Sequence, residues 1–372
     1  MAGVILLLSI AALVWPFLLY PAVLRLLPTR PERPVAGARP PSASLLFCAY
    51  NEAAAMPDKL ANLRRLKARH PDLDILAYDD GSSDDTAALI DAAGGLVTLL
   101  RGPGRMGKAH GMKQLAARAR GDVLIFTDAN VLLDDRAVER LLARYADPDV
   151  GGVLGSLRYV GQGESATASV GSLYWRIEER LKDAESRTGN VMGADGSIFS
   201  IRRALYPDFP DTVLDDLTVS MAVVFAGRRL VKAADAIAYE RLVTARGDEY
   251  RRKVRIAARA WHTHRHLRPE LRRMTALDRF KYVSRKMARW FGALFLMSGG
   301  IAAGVLAWRL SPWLFGGLAL AAALVLAVGF RSKGGPLAAL VDMLIAYAAT
   351  AQGVARAMGG RTVTVWSPAK SR

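Results

Sequence analysis

The sequence predicts an α/β domain with a Rossmann-like, mostly parallel sheet, placed between membrane-spanning helices at the two ends of the chain. Apolar residues are concentrated near both termini, whereas the charged residues lie mostly between them. In that central part, short apolar runs alternate with helical patterns of period 3.6. The 372 residues are 52% hydrophobic and 23% charged, and this segregation explains how the two fractions coexist.

The N-terminal residues form the first predicted membrane helix. From Val4 to Leu27 the chain is almost uninterrupted apolar, which exceeds the roughly 20 residues that a helix needs to cross a bilayer. A proline-rich stretch follows, and we interpret residues 1–28 as the helix and residues 29–43 as a linker. Arginines after the helix place the next domain in the cytoplasm by the positive-inside rule. They are Arg25, Arg30, Arg33 and Arg39.

From Ser44 onward the pattern predicts repeated βα units over residues 44–262. The segments SLLFCAYNE, DILAYDD, GLVTLLRG and GDVLIFTDAN each read as a short buried strand followed by polar residues. Repeated βα units imply a largely parallel sheet covered by helices. Ligands bind such sheets at the carboxyl ends of the strands. The polar residues expected there are Asn51, Asp79, Asp80, Asp128 and Asn130.

Two or three further membrane helices are expected over residues 290–358. Residues 291–308 and 314–330 are apolar and long enough to span. A third segment, residues 337–355, is less apolar because it contains Asp342 and Gln352. It either spans the bilayer with Asp342 facing other helices or lies partly re-entrant.

The net charge of +17 indicates a membrane surface rather than nucleic acid. Between Arg251 and Arg289 there are fourteen Lys or Arg against two acids. Basic segments beside a membrane helix are attracted to anionic lipids by about 1 kcal/mol per cation, and no nucleic-acid-binding motif is present. We interpret residues 263–289 as a basic interfacial helix and residues 359–372 as a basic tail.

The single cysteine, Cys48, excludes an intramolecular disulfide framework and suits a domain in a reducing compartment. It lies in an apolar run, which favours a packed core thiol over a nucleophile.

Two motifs at the first strand ends could form a pocket for a nucleotide. The segment AYNE supplies Ala49, Tyr50, Asn51 and Glu52, and the segment DDGSSDDT begins with Asp79 and Asp80. Main chain at a strand end together with Asp80 can hydrogen-bond a pyrimidine edge. The alternative is that these acids only form a turn and a helix cap.

The segment TDAN after the fourth strand predicts a divalent-cation site. Asp128 and Asn130 are separated by one residue, so both side-chain oxygens can face one Mg²⁺ or Mn²⁺. Such cations usually take one or two protein carboxylates together with phosphates and water. Lys108 could add a positive charge for the phosphates. The alternative is an ordinary polar turn with a solvated lysine.

The segment VLDDLTVS offers a general base. Asp215 or Asp216 could take the proton of an attacking hydroxyl, or could cap the following helix, and both roles are compatible. Upstream, the segment GADG reads as a tight backbone turn lining a pocket. It contains Gly193, Ala194 and Asp195.

The order AYNE, DDGSSDDT, GK, TDAN, GADGS, DD and RxxxRAW resembles the inverting glycosyltransferase family 2, with its GT-A nucleotide-diphospho-sugar transferase fold. The resemblance covers roughly Ser44 to Trp261. With the membrane segments added, the chain resembles bacterial polysaccharide synthases and exopolysaccharide transferases. It departs from the family pattern in reading DAN where DAD is usual and RIAARAW where processive enzymes have Q-x-x-R-W.

The resemblance implies a role for each matching residue. Asp80 would contact uracil, Asp128 with Asn130 would bind the metal, and Asp216 beside Asp215 would be the catalytic base. In the RIAARAW segment, Arg255 and Arg259 would lie near the diphosphate or acceptor, and Trp261 would stack under an acceptor sugar.

The implied function is inverting transfer from a UDP-sugar to a growing polysaccharide or lipid-linked glycan, assisted by a divalent cation. The implied place is the cytoplasmic face of a bacterial inner membrane, with the lipid bilayer and other exopolysaccharide-assembly proteins as partners and no nucleic acid. Two alternatives stay open: single-sugar transfer to a polyprenyl phosphate, and a nucleotide-sugar-binding regulator without activity. A Rossmann dehydrogenase is disfavoured because no GxGxxG follows the first strand.

Overall fold

A computed structural model describes residues 1–160, 166–241, 245–332 and 334–360. The basic tail expected at residues 359–372 therefore falls almost wholly outside the described residues.

The central domain contains one eight-stranded sheet in the order β3-β2-β1-β4-β7-β6-β8-β5. The predicted α/β fold is confirmed, and the four strands identified from the sequence pair in parallel. Beyond β4 the sheet is mixed, because β7 runs antiparallel to both β4 and β6. The strands are β1 (Ala43–Ala49), β2 (Asp74–Asp79), β3 (Thr98–Arg101), β4 (Val123–Thr127), β5 (Leu132–Leu133), β6 (Val150–Val160), β7 (Ile198–Arg202) and β8 (Arg229–Arg241).

Helices cover both faces of the sheet and form the two apolar ends of the chain. They are α1 (Ala2–Val14), α2 (Tyr20–Leu26), α3 (Met56–Arg69), α4 (Thr86–Asp91), α5 (Lys108–Arg118), α6 (Ala137–Ala143), α7 (Ala166–Arg187), α8 (Asp215–Phe225), α9 (Arg246–His266), α10 (Arg268–Arg273), α11 (Ala276–Tyr282), α12 (Ala288–Trp290), α13 (Gly292–Leu310), α14 (Pro312–Arg331) and α15 (Gly335–Met358). Two π-helical turns, Trp15–Leu19 and Val283–Met287, interrupt the helices at either end of the domain.

Every residue of β1 is buried, because the sheet is covered on both faces. Leu45 and Phe47 pack into the core on one side of the sheet. Leu46 and Cys48 pack on the other. Cys48 is a buried free thiol, as predicted.

Within the described residues, four helical stretches are long and apolar enough to cross a membrane: Ala2–Leu26, Gly292–Leu310, Pro312–Arg331 and Gly335–Met358. The last includes Asp342, whose carboxylate pairs with Arg246 Nε of α9 at 2.5 Å. The carboxylate thus faces another helix, whose arginine compensates its charge.

The single interfacial helix expected over residues 263–289 is instead a series of short helices, α10 to α12. Pro269 stands at the start of α10, and Thr275 starts α11 by accepting the Asp278 N–H at its hydroxyl. A Thr side chain at this position favours a new helix start over continuation of the preceding helix. Several cations of the segment also point into the protein, since Lys281 and Arg285 are buried.

Candidate active site

The loops after β1, β2 and β4 meet at one edge of the sheet, because these strands are neighbours and run in parallel. The loop after β1 is fastened to the loop after β2 by Asn51. Its N–H donates to Ser82 Oγ at 3.0 Å, and its Oδ1 accepts the Ser83 N–H at 2.8 Å. Asn51 has φ of 51°, a left-handed conformation that asparagine tolerates better than most residues. The AYNE segment is therefore a shaped turn at the strand ends.

Asp80 is completely buried and organises the loop that leads into α5. Its carboxylate accepts the N–H groups of Met106 and Gly107 at 2.8 and 2.9 Å, and Arg105 Nε lies 3.4 Å away. The Arg105 guanidinium stacks on the ring of Tyr50, 3.3 Å from its centroid. Asp80 therefore fixes the approach to Lys108, a contribution in addition to the base contact that the resemblance implies.

Asp79 lies at the same edge of the sheet, and only one of its two carboxylate oxygens accepts a hydrogen bond within the described residues. Its Oδ2 accepts the Ser82 N–H at 3.2 Å, whereas Oδ1 is buried and has no hydrogen-bond partner among the described residues. A buried acceptor without a donor costs free energy, so a hydrogen-bond donor on a ligand would be favourable here.

Lys108 connects the metal motif to the acid pair. Its Nζ lies 2.6 Å from Asp128 Oδ1 and 3.8 Å from Asp215 Oδ2. Burial alone would lower the pKa of Lys108, but Asp128, Asp215 and Asp216 together hold that pKa well above its usual value. The ammonium is therefore a permanent positive charge at the centre of three carboxylates.

Asp216 lies in the first turn of α8, beside Asp215. Its Oδ1 accepts the Leu217 N–H at 2.7 Å, which holds the side chain at the helix start. Burial and the neighbouring Asp215 charge raise the pKa of Asp216 to about 6, against the opposing influence of Lys108. A carboxylate whose pKa lies close to the working pH suits proton abstraction.

The GADG segment packs directly on these groups. The Ala194 N–H donates to Ser220 Oγ at 2.9 Å, and that hydroxyl donates to the Asp216 carbonyl at 2.6 Å. A methyl group added at Gly196 would lie 2.7 Å from Lys108 Nζ and 3.2 Å from Asp128 Oδ2. A side chain at this position would therefore displace the lysine ammonium from its place beside the carboxylate.

Asp195, within the same turn, is held by the buried Lys182 and by Ser197. Although burial opposes its ionisation, the Lys182 ammonium holds the pKa of Asp195 below its usual range. Its negative charge also contributes to the raised pKa of Asp216.

The predicted metal motif fits a cation that takes most of its ligands from a bound diphosphate. Asp128 is about one-third exposed, and the Asn130 amide nitrogen donates to Glu240 Oε1 at 3.1 Å, which leaves the amide oxygen for a metal. Among the described residues no group of three or more His, Cys, Asp or Glu could enclose a metal by itself. One carboxylate, one amide oxygen, phosphate oxygens and water are a suitable set for Mg²⁺ or Mn²⁺.

Lys59 supports this motif from below and was not identified from the sequence. Its buried Nζ donates to the carbonyls of Asp128 and Val131 at 3.0 and 2.6 Å, and burial lowers its pKa to about 7. The sequence did contain a signal for a buried lysine, because Lys59 lies three residues after Met56 on the apolar face of the predicted helix.

The residues of the RIAARAW segment lie outside this cluster. Arg259 is buried and donates from Nη2 to the Val213 carbonyl at 2.5 Å, so it braces the chain just before the acid pair. Trp261 packs edge-on against Trp290 and Phe291, just before α13. Arg255 is half-buried on the same helix. The structure thus places Arg259 against the chain that precedes the acid pair and Trp261 against the residues that lead into α13, and it shows neither beside the carboxylates.

Residues 44–209 match the family model described as Glycosyl transferase family 2. The chain therefore carries a family 2 glycosyltransferase domain, as the order of motifs predicts. The match ends six residues before Asp215, so the acid pair is placed by the structure rather than by the family model.

The chain is also similar to bacterial polysaccharide-forming enzymes. It is 25% identical over 223 residues to the poly-beta-1,6-N-acetyl-D-glucosamine synthase of Staphylococcus aureus strain COL, covering 58% of this chain and 53% of that protein. It is 27% identical over 170 residues to an N-acetylglucosaminyltransferase of Azorhizobium caulinodans, covering 44% and 43%. The chain thus spans about half the length of the curated relatives it matches.

A solved structure shares the fold over nearly the whole chain. The mannosyltransferase PcManGT from Pyrobaculum calidifontis, in complex with GDP-Man and Mn²⁺, superposes with a TM-score of 0.76 over 97% of this chain and 100% of its own, at 20% identity. The GT-A fold and the accompanying apolar helices are therefore a shared arrangement.

Proposed function

We propose that this family 2 glycosyltransferase moves a sugar from a UDP-sugar to a glycan or lipid-linked acceptor at a membrane surface, with inversion and with Asp216 as the base. The observation that carries this proposal is the position of Lys108 between Asp128 and Asp215. It brings the metal motif and the acid pair, which are about ninety residues apart in sequence, into one cluster.

The roles of the chain's own groups follow from this geometry. Asp216 accepts the proton of the attacking hydroxyl as the new bond forms at the anomeric carbon. Lys108 offers a fixed positive charge to the departing diphosphate. Asp80 and the turn at Asn51 shape the pocket for the base and ribose. A single displacement from the side opposite the diphosphate inverts the anomeric configuration.

A divalent cation would be held by Asp128 and the Asn130 amide oxygen, and when bound it would neutralise charge on the diphosphate. PcManGT contains Mn²⁺, which supports this choice. The Asp195–Lys182 pair holds the neighbouring turn through the protein's own side chains.

The acceptor is proposed to approach from the membrane side, because α9 carries both Arg259, which braces the acid pair, and Trp261, which packs on the membrane helices. We place the domain at the cytoplasmic face of a bacterial inner membrane, from the arginines that follow the first helix.

The experiment that tests the proposal is a donor screen of the purified full chain in detergent. Released nucleoside diphosphate is measured with UDP-N-acetylglucosamine, UDP-glucose and GDP-mannose, each with Mn²⁺ and with EDTA. We expect UDP release that requires the cation, with UDP-N-acetylglucosamine preferred because both curated relatives are named for that sugar. Binding without release from any donor would instead favour the inactive regulator.

The pH dependence of kcat/KM provides a prediction for Asp215. Because the base acts when ionised, kcat/KM should rise with pH up to an apparent pKa near 6 and then level off. Asp215→Asn removes a negative charge that raises this pKa, so the acidic limb should move to lower pH. The measurement is UDP release between pH 4.5 and 8, with the exposed Asp208→Asn as control. An unchanged acidic limb in Asp215→Asn would contradict the assignment.

A further inference from the structure

A polar pocket lies where the proline-rich linker meets the end of α7 and the start of β8, and we call it the linker pocket. Its volume is about 250 Å³, slightly below the range of about 300–1,000 Å³ typical of sites for drug-sized ligands. This volume suits a small ion or a single head group. The lining residues are Thr29, Arg30, Pro31, Glu32, Asp183, Ser186, Arg187, Arg229 and Lys232.

The linker pocket is separate from the candidate active site. β8 runs parallel to β6, and β7 runs antiparallel to both β6 and β4, so β8 and β4 run in the same direction. Arg229 is the first residue of β8, whereas Asp128 follows the last residue of β4. The two sites therefore lie at opposite edges of the sheet, and the linker pocket has no part in the proposed transfer reaction.

The lining of the linker pocket carries four cations against two acids, and both acids already have partners. Glu32 Oε1 lies 3.4 Å from Arg144 Nη1, and Asp183 Oδ1 lies 2.7 Å from Lys232 Nζ. The positive charge of the three arginines is therefore not neutralised by the carboxylates of the pocket itself.

Two of these arginines are exposed and available to a ligand. The guanidinium of Arg187 has no hydrogen bond or ion pair with any of the described residues. Arg30 Nη2 lies 3.8 Å from Asp149 Oδ2, and both side chains are more than half exposed, so water screens this pair strongly. The Arg30 N–H donates to the Arg187 carbonyl at 2.8 Å. This hydrogen bond holds the two residues next to each other and occupies a carbonyl at the end of α7.

Arg229 adds a third guanidinium, which is only 3% exposed. Its Nη1 and Nη2 donate to the carbonyls of Pro31 and Arg30 at 3.0 and 2.7 Å, and Nη1 lies 3.9 Å from an Asp147 carboxylate oxygen. Burial and the Arg30 charge lower the pKa of Arg229, against the opposing influence of Asp147. An anion in the linker pocket would therefore stabilise the charged guanidinium.

We propose that the linker pocket binds a phosphate group through Arg30 and Arg187, above the buried charge of Arg229. Guanidinium groups match phosphate oxygens with two parallel hydrogen bonds. The Ser186 hydroxyl accepts the Lys232 N–H at 2.9 Å, which leaves its own hydrogen to donate to a further phosphate oxygen.

A phosphate in this position would join the linker, α7 and β8, and would so fix the catalytic domain relative to the first membrane helix. Two sources supply the same chemical group. A phospholipid head group is one, because α2 ends at Leu26, four residues before Arg30. A soluble phosphate ester is the other.

The test is calorimetric titration of the purified full chain, in a neutral detergent at a fixed ionic strength of about 0.15 M, with inorganic phosphate. We expect Arg187→Gln and Arg30→Gln each to raise Kd about tenfold, because each removes a charge-assisted hydrogen bond. The matched control is Arg176→Gln, an exposed arginine earlier on α7, which should stay within about twofold of the wild type.

Native mass spectrometry with added phosphatidylglycerol identifies the source. If the ligand is a lipid head group, the wild type should retain one more phosphatidylglycerol than Arg187→Gln does. If it is a soluble ester, the two should retain equal numbers and differ only in the phosphate titration.

Three results would overturn the proposal. The wild type would bind no phosphate, or Arg187→Gln and Arg30→Gln would bind it no more weakly than Arg176→Gln does. In the third, binding would be lost in Lys108→Gln and kept in Arg187→Gln, which would place the phosphate at the candidate active site.

Discussion

Asp216→Asn is expected to lower transfer to a hydroxyl acceptor by about 10²–10⁴-fold, the usual contribution of a general base. Asparagine keeps the size of the side chain and can still lie in the first turn of α8, but it cannot accept the proton. Donor binding should be retained, because Asp80, Lys108 and Asp128 are unchanged. The measurements are kcat for sugar transfer and Kd for UDP on the same preparation.

The control is Asp208→Asn, an exposed carboxylate eight residues earlier, which should transfer at the wild-type rate. Near-normal transfer to a hydroxyl by Asp216→Asn would remove Asp216 as the base. The size of the fall in transfer rate also identifies the nucleophile. An ionised isoprenoid phosphate needs little base catalysis. If Asp216→Asn lowers transfer to that acceptor by less than about tenfold, the sugar is transferred to the phosphate itself.

The fold and the positions of the strand-end carboxylates could be predicted from sequence because both depend on local patterns. Buried strands alternate with amphipathic helices, and polar residues follow each strand. The orientation of β7 could not be predicted in this way. Five residues of mixed character carry no information on direction, and pairing with β4 and β6 is set by long-range packing of the intervening chain.

The site was predicted in its parts but not in its contacts. Lys108 was expected near phosphates, yet the sequence does not reveal that it lies between Asp128 and Asp215. Arg259 was expected near the diphosphate, and the structure instead pairs it with the Val213 carbonyl. Side chains of long reach can bind main chain or ligand equally well, and only the spatial arrangement decides between these partners.

The partners of the charged side chains in the basic segment, residues 251–289, could likewise not be predicted from the sequence. Fourteen cations against two acids suggest a surface that faces anionic lipids. In the structure the exposed members form only part of the set: Arg251, Arg265, Arg268, Arg272, Arg273 and Arg279. Others, such as Arg285, neutralise carboxylates contributed by a distant helix. Charge counting cannot separate these groups because the partner acids lie about a hundred residues earlier in the sequence.

Arg285→Met is expected to lower the free energy of unfolding by about 3–5 kcal/mol, the cost of removing one partner from a buried ion pair. Arg285 is 1% exposed, and its guanidinium reaches Glu178 at 2.5 Å and Glu185 at 2.6 Å. Glu185 also accepts the Tyr20 hydroxyl at 2.7 Å. The substitution therefore weakens the connection between the N-terminal helix, α7 and the π-turn at residues 283–287.

The measurement is thermal and denaturant unfolding of the full chain in detergent. Arg279→Met is the matched control. Within the described residues the guanidinium of this exposed arginine donates one hydrogen bond, to the Met274 carbonyl at 3.3 Å, so its loss should change stability by less than about 0.5 kcal/mol. Adding Glu185→Gln to Arg285→Met should recover part of the loss, because it removes the buried charge left without a partner. If Arg285→Met and the wild type have the same free energy of unfolding, the ion pairs of Arg285 with Glu178 and Glu185 do not stabilise the fold.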